Sequence, residues 1–422
     1  MADLDHAAPA ARITPFSSRL EREAQRTRIR AQRGEVPAEK IMEQVEQLSR
    51  ADRRDALVDL RQDIARRVAE PVGFRQRLVD FWANHFAADT RPGRFNSART
   101  AYIEEAIRPH IAGDFAQLLR AAVLHPVMQN YLNQNRSVGP FSRVGRRTGR
   151  GINENLAREL LELHTLGVDG DYTQDDVTQM ARLLTGVTFD LEQGYKFDPR
   201  IAEPGLIEIF GKRYGGRPVK ESHVFEALDD LALRPETAAH LAGKLARHFV
   251  ADAPDPQLVA HMQASYLASG GDLRALYRAM LEHPAAWGAT LAKTRTPLNW
   301  IAASLRVTGI KPATIRKLDI GTTRNSLHLP LQLMGQPHEA VPSPAGYDDD
   351  AGAWITPQAL AARIDWAMGL QALLPQVPDP RDFVTVAMGD MASPALLRAA
   401  RAAETRGEGI AVILASPDFN RC

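Results

Sequence analysis

Residues 153–186 read NENLARELLELHTLGVDGDYTQDDVTQMARLLTG, and this stretch decides the fold class. At 100° per residue, Leu156, Ala157, Leu160 and Leu161 share one face, the spacing of an amphipathic helix over 153–166. Thr173 followed by Asp176 has the spacing of a capping box and predicts a second helix over 174–185, closed by Gly186. The acidic run Asp169 to Asp176 resembles a calcium loop. It lacks the glycine at the sixth position and the distal glutamate, so a turn leading into a helix cap accounts for it.

Working outward, the helical period covers 52–186 almost throughout, with helices near 73–88, from 97 to 109, over 114–125 and from Pro126. Residues 187–219 change character: Val187-Thr188-Phe189, Tyr195-Lys196-Phe197 and Ile207 to Phe210 are short β-like runs parted by glycine and proline. From 222 the helical period returns and ends in stretches near 357–373, 381–390, 394–405 and 407–415. The expected fold is mainly α: two packed helical lobes, 51–186 and 222–422, with a small β-hairpin excursion at 187–221 between them. Residues 1–50 are polar and arginine-rich, and Arg19 to Arg33 puts charge on every helical face, which predicts a loosely attached arm. Leu124-His125-Pro126, Glu282-His283-Pro284 and Ala415-Ser416-Pro417 each set a polar residue before proline at the end of an apolar helix, which predicts a helix-to-helix corner.

Composition narrows the function. The chain has 422 residues, 52 Lys+Arg against 51 Asp+Glu, a net charge of +1 and 44 % hydrophobic residues. Near-zero charge argues against a nucleic-acid binder, whose electrostatic footprint is a basic excess. One local exception stays open: the arm and the Arg136–Gly151 segment, with Arg143, Arg146, Arg147 and Arg150, concentrate positive charge. A mobile surface loop is the simpler expectation there, since no phosphate-binding glycine loop is present. The single cysteine, Cys422, excludes an internal disulfide and any multi-cysteine metal centre. The start, Met1 to His6, carries acids where a signal peptide needs basic residues and then an apolar run, and no window suits a membrane span. The expectation is a soluble, cytoplasmic protein, with export by another route left open.

Three histidines turn inward on this reading. His85 falls on the face of Phe74, Leu78, Phe81 and Trp82; His110 lies with Tyr102, Ile103 and Ala106; and His164, with Asn153, sits in the middle of the Leu156–Leu161 face. Glu159 flanks that face, and Arg158 pairs at i,i+4 with Glu154 and Glu162 or, if buried, clamps an anion. One reading makes each histidine a core residue bonded to a carbonyl or carboxylate. The other gathers His85, His110 and His164 with Glu159 or Asn153 around a divalent metal such as zinc, iron or manganese, or uses one imidazole for acid–base chemistry. No Glu-x-x-His or His-Glu-x-x-His pair is present to choose between them. Separately, the long loop from Pro342 to Trp354 carries Asp348-Asp349-Asp350; three adjacent acids are most simply solvated, the alternative being that they add carboxylates to a cleft.

The 153–186 motif, with Phe81-Trp82-Ala83-Asn84-His85-Phe86, Ile107-Arg108-Pro109-His110, Met334-Gly335-Gln336-Pro337, the 342–354 loop and Ser416-Pro417-Asp418-Phe419, resembles the bacterial family called domain of unknown function 1800 over most of 52–422. The resemblance implies a largely helical protein and imports no mechanism. It implies an accessory role, the partner being a sulfatase-like protein of the family called domain of unknown function 1501. The alternative is a metal- or histidine-dependent enzyme with its site at the centre of the first lobe. The chain departs from the family pattern in two places. Val187 stands where tryptophan is usual, and Ala202, Glu203 and Ile207 stand where relatives carry a His-Asp pair and a lysine.

Overall fold

A computed structural model describes residues 11–70, 72–90, 93–288 and 291–422. The acidic start and the first ten residues of the arm lie outside the described residues. The fold is mainly α, with helices throughout and two small antiparallel β-sheets. Strand β1 (Val187–Asp190) pairs with β2 (Gly194–Phe197), and β3 (Gly205–Ile209) pairs with β4 (Lys212–Gly216). The excursion is therefore two hairpins. Gly186, at φ +98°, opens the first: a Cβ there would lie 2.6 Å from the Phe197 ring, so only glycine permits the turn.

The helices follow their sequence signals. Thr173 Oγ1 accepts from the Asp176 amide at 3.2 Å and Asp176 accepts from the Thr173 amide at 2.8 Å, closing the capping box of Gln174–Leu183. All three polar-Pro corners share one device. The side chains of His125, His283 and Ser416 accept amide hydrogens at the start of the helix that the following proline begins. The residue before proline is held extended, and its polar atom caps the next turn.

Two apolar cores form, and they divide the chain differently from the lobe boundaries. The first gathers residues from Phe16 to Met280, so 222–280 pack with the first lobe. The second gathers residues from Trp300 to Phe419 together with Leu60, Ile64, Ala65 and Val68 of the 32-residue helix Ala38–Ala69. That helix carries its apolar stripe to the second core and its charged stripe to the first. Proximity in the chain assigned 222–280 to the C-terminal lobe; hydrophobic complementarity packs it into the N-terminal one.

The arm is the main correction. The helix Phe16–Ala31 is docked: Phe16 and Leu20 enter the first core, and Arg19, Glu23 and Arg26 are buried. Arg19 reaches Asp52 and Asp59, each at 3.1 Å, Arg22 reaches Asp52 at 2.7 Å, and Arg26 also bonds Asp52. What reads as charge on every face is a set of guanidiniums matched to the carboxylates of Ala38–Ala69, a pairing between segments that no local pattern reveals. The Arg136–Gly151 segment likewise has structure of its own, with a helix Arg143–Thr148 and a backbone bond from Gly139 to Ile201 at 2.8 Å. Asp52→Ala should therefore lower stability by about 3–5 kcal/mol, because it strands buried guanidiniums. Urea unfolding followed by circular dichroism measures the loss, which should far exceed that of the exposed-pair variant Glu46→Ala.

Candidate functional site

The predicted histidines come together only in part. His85, on Phe74–His85, and His164, in the π-turn Leu160–His164, are fully buried with ring centroids 5.9 Å apart. His110 sits part-exposed in the 3-10 turn Arg108–His110, and among the described residues it has no ring contact with either. A histidine not singled out in the sequence, His240, takes the third place, 6.1 Å from His85. Asn153 precedes the helix and folds its side chain onto the Asn155 amide at 3.0 Å. Glu159 is half-buried, its carboxyl raised by burial and then by Glu162, with Arg158 opposing. Arg158 pairs with Glu154 and Glu162, both at 3.3 Å, on a partly exposed surface.

The cluster has a structural logic. The π-turn leaves the Leu163 and His164 carbonyls beyond the last helical bond. His240 Nε2 donates to Leu163 O at 3.0 Å and His85 Nε2 donates to His164 O at 3.1 Å. Two imidazoles thus cap one helix end. Both ring nitrogens of His164 and Nδ1 of His85 are buried without a hydrogen-bond partner among the described residues. Burial and Lys244 push all three histidines down, with neighbouring rings adding to the pull on His85 and His164; His164 falls to about 3 and His240 to about 4, so they are neutral at pH 7. Among the described residues no group of three His, Cys, Asp or Glu side chains is arranged to hold a metal ion.

The departures from the family pattern also land on structure. Glu203 is buried; its amide donates to Thr185 Oγ1 at 2.7 Å and its carboxylate accepts from the Phe141 amide at 3.0 Å. It pins the Arg136–Gly151 segment to the Thr185-Gly186 turn. Ala202 and Ile207 are buried apolar residues.

A cleft lies elsewhere, between the two cores. It has a volume of about 360 Å³ and continues into a smaller recess that shares Arg67, Gln76, His248, Asn299, Asp349 and Trp354 with it. The helices Phe74–His85 and Pro297–Val307, the end of Pro235–Phe249 and the 342–354 loop build its walls. Arg77, Arg295 and Arg306 line it, and no ion pair engages them among the described residues. Arg77 stacks over Phe249 at 4.8 Å. Arg295 stacks over Phe419 and bonds Phe419 O, while Arg306 bonds Arg67 O. Burial pulls Arg295 below the arginine range against Cys422, with Arg77 adding to the pull, and burial lowers Arg306 against Glu70. Behind them Arg363 is 0 % exposed, pushed down to about 10 by burial and by Arg295. It is held by Asn420, by Arg295 O at 2.8 Å and by the Trp300 face.

Facing these cations, His248 Nδ1 meets Asp349 Oδ1 at 2.6 Å. Asp349 is the one residue of the acidic run that lines both parts of the cleft and meets a histidine. The sequence signals for this site were the three-acid run and the long irregular segment around it, from the Met334–His338 turn to Trp354. His248 and the arginines carry none, since they come from separated segments with no shared spacing. The cluster and the cleft make separate predictions. His164→Leu should change stability at pH 7 by about 1 kcal/mol or less, because it removes an imidazole whose hydrogen-bonding groups are unmet, whereas His85→Leu should cost about 1–3 kcal/mol by stranding the His164 carbonyl. His164 has a folded value of about 3 against 6.5 unfolded, so its protonation takes nothing from stability above pH 6.5, and as pH falls from 6.5 toward 3 the unfolded chain takes up a proton that the folded one refuses and stability is lost. Wild-type stability should accordingly fall with acid more steeply than that of His164→Leu, by up to about 1.4 kcal/mol per pH unit. Urea titrations at stepped pH read both.

The family model described as "Protein of unknown function (DUF1800)" matches residues 3–421, and the chain belongs to that family. Comparison with curated proteins and with solved structures finds no match.

Proposed function

We propose that this member of the family binds, in the cleft between its two cores, a small ligand bearing a phosphate or carboxylate group. The observation that carries the reading is the charge balance of the cleft. Arg67 is taken up by Asp63 and Asp80, and Lys293 by Asp252 at 2.5 Å. Arg77, Arg295 and Arg306 line the cavity with Glu70 and Cys422 opposing only Arg306 and Arg295, and Arg363, with no carboxylate partner among the described residues, adds a cation behind the wall. Desolvated guanidiniums in excess of carboxylates favour an anion, and their planar forks match the paired oxygens of phosphate or carboxylate.

The accessory role beside a sulfatase-like protein is a second proposal and rests on the resemblance. The cleft supports it only in that a sulfatase-like partner also handles an anionic group. The metal-dependent alternative at His85, His110 and His164 has less to support it, since His110 stands apart and two imidazoles are committed to backbone carbonyls.

Isothermal titration with inorganic phosphate and with pyrophosphate tests the anion reading. Wild type should bind at least one of them, more weakly as salt rises. Arg77→Met removes a donor without a backbone hydrogen bond to lose, and should weaken binding roughly tenfold or more. Affinity unchanged in that variant would sink the reading. So would wild type that binds neither probe at millimolar concentration.

A further inference from the structure

We propose that the cleft is catalytic and hydrolyses a phosphoric diester, with His248 as the general base, Asp349 as its positioning residue and the arginines as the clamp on phosphate. This rests on the anion reading above and goes beyond it by naming a substrate class and a reaction.

His248 is built as a base. A carboxylate can only accept, so Nδ1 carries the hydrogen toward Asp349 Oδ1 at 2.6 Å, which leaves Nε2 as the ring nitrogen for proton exchange. The ring is gripped by Phe81, centroids 5.3 Å apart and 62° inclined, and by Phe249, 4.8 Å and 69°. Its orientation is therefore set by packing, and the residue borders both parts of the cleft. Burial raises the Asp349 carboxyl, but His248, Lys293 and Lys244 together hold it below the usual range, so it is a carboxylate at neutral pH. The pair thus has the geometry in which a carboxylate orients an imidazole for proton transfer.

The competing explanation is that His248 only fastens the 342–354 loop. Other contacts already do that. Asn84 and the Tyr347 backbone exchange bonds of 2.7 and 2.9 Å, Asp252 accepts from the Ala351 amide at 3.1 Å, and Lys293 donates to Asp349 O at 2.7 Å. With both sides of residue 349 and its own carbonyl held, the Asp349 carboxylate is free to serve the imidazole.

The reaction needs no group beyond water. A water oxygen forms a bond to phosphorus as the bond from phosphorus to the leaving oxygen breaks. The water proton passes to His248 Nε2, and the imidazolium returns it to the departing alkoxide. The products are a phosphoric monoester and an alcohol, with His248 neutral again. Negative charge grows on the non-bridging oxygens during attack, where Arg77, Arg295 and Arg306 stand.

Bis(p-nitrophenyl) phosphate serves as the probe, p-nitrophenolate release as the readout and p-nitrophenyl acetate as a neutral ester control. The full chain should hydrolyse the diester above the buffer rate and prefer it to the acetate. His248→Gln should lower kcat roughly 10²–10⁴-fold while phosphate still binds by calorimetry, which shows that the cleft is intact. Asp349→Asn should lower kcat and leave KM nearly unchanged. Wild type that binds phosphate but leaves the diester untouched would overturn catalysis and spare the anion reading. Equal rates in wild type and His248→Gln would overturn the role of His248. Absence of phosphate binding in wild type would remove both proposals together.

Discussion

The structure depends on one guanidinium. Arg67 sits near the end of the long helix Ala38–Ala69, takes Asp63 of its own helix at 2.7 Å, and forks onto both oxygens of Asp80 at 2.7 Å each. Asp80 lies on Phe74–His85, in the first core, while the helix of Arg67 feeds its apolar stripe into the second. One side chain therefore joins the cores, and it also touches Asn299 at 3.0 Å. Burial opposes the charge on Arg67, and Asp63 and Asp80 outweigh it, holding the guanidinium above its usual range. Asp63 is likewise held well below the carboxylate range by Arg67, Arg66 and Arg108 against burial. A pair so desolvated tolerates no missing partner, which makes the seam selective about geometry.

That seam explains where the cleft can exist. Two apolar cores meet through polar groups, and a polar seam does not close as a core does. Arg67 forms one wall, with its charge spent on carboxylates; Arg77, Arg295 and Arg306 line the opening, the latter two opposed only by Cys422 and Glu70. The Arg295 backbone is held by Arg363 from behind and by Asn420 O at 2.9 Å. Rigid cations in a partly dry cleft, facing a fixed imidazole–carboxylate pair, form a preorganised electrostatic environment.

The buried histidines teach the opposite lesson. An inward-facing histidine in a helical pattern marks a polar group that needs a partner, and here two of those partners are carbonyls at a helix end. His85 and His164 lie on the apolar face that helical periodicity assigns them. Their third neighbour is His240, because residues 235–249 pack into the first core, a fact of tertiary complementarity invisible in spacing. His110 separates because the chain passes from a π-turn into a 3-10 turn at Arg108–His110, which breaks the 100° register on which its inward placement relied.

Local physics was written in the chain. Apolar spacing at 3.6 residues, the Thr173–Asp176 box, the polar-Pro corners and the glycine before Val187 each act within a few residues, so the mainly helical fold with its β excursion was determined by sequence alone. Of the site, the acidic run at 348–350 was legible only as acids either solvated or added to a cleft, and Asp348 and Asp350 are exposed while Asp349 enters it. Only the folded chain decided which of those acids meets His248, that the arm docks by matching Arg19, Arg22 and Arg26 to Asp52, Asp55 and Asp59, and that arginines from separate segments face one cavity. Ion pairs and clefts join residues far apart in the chain, and their energies depend on burial and distance, which have no periodicity to read.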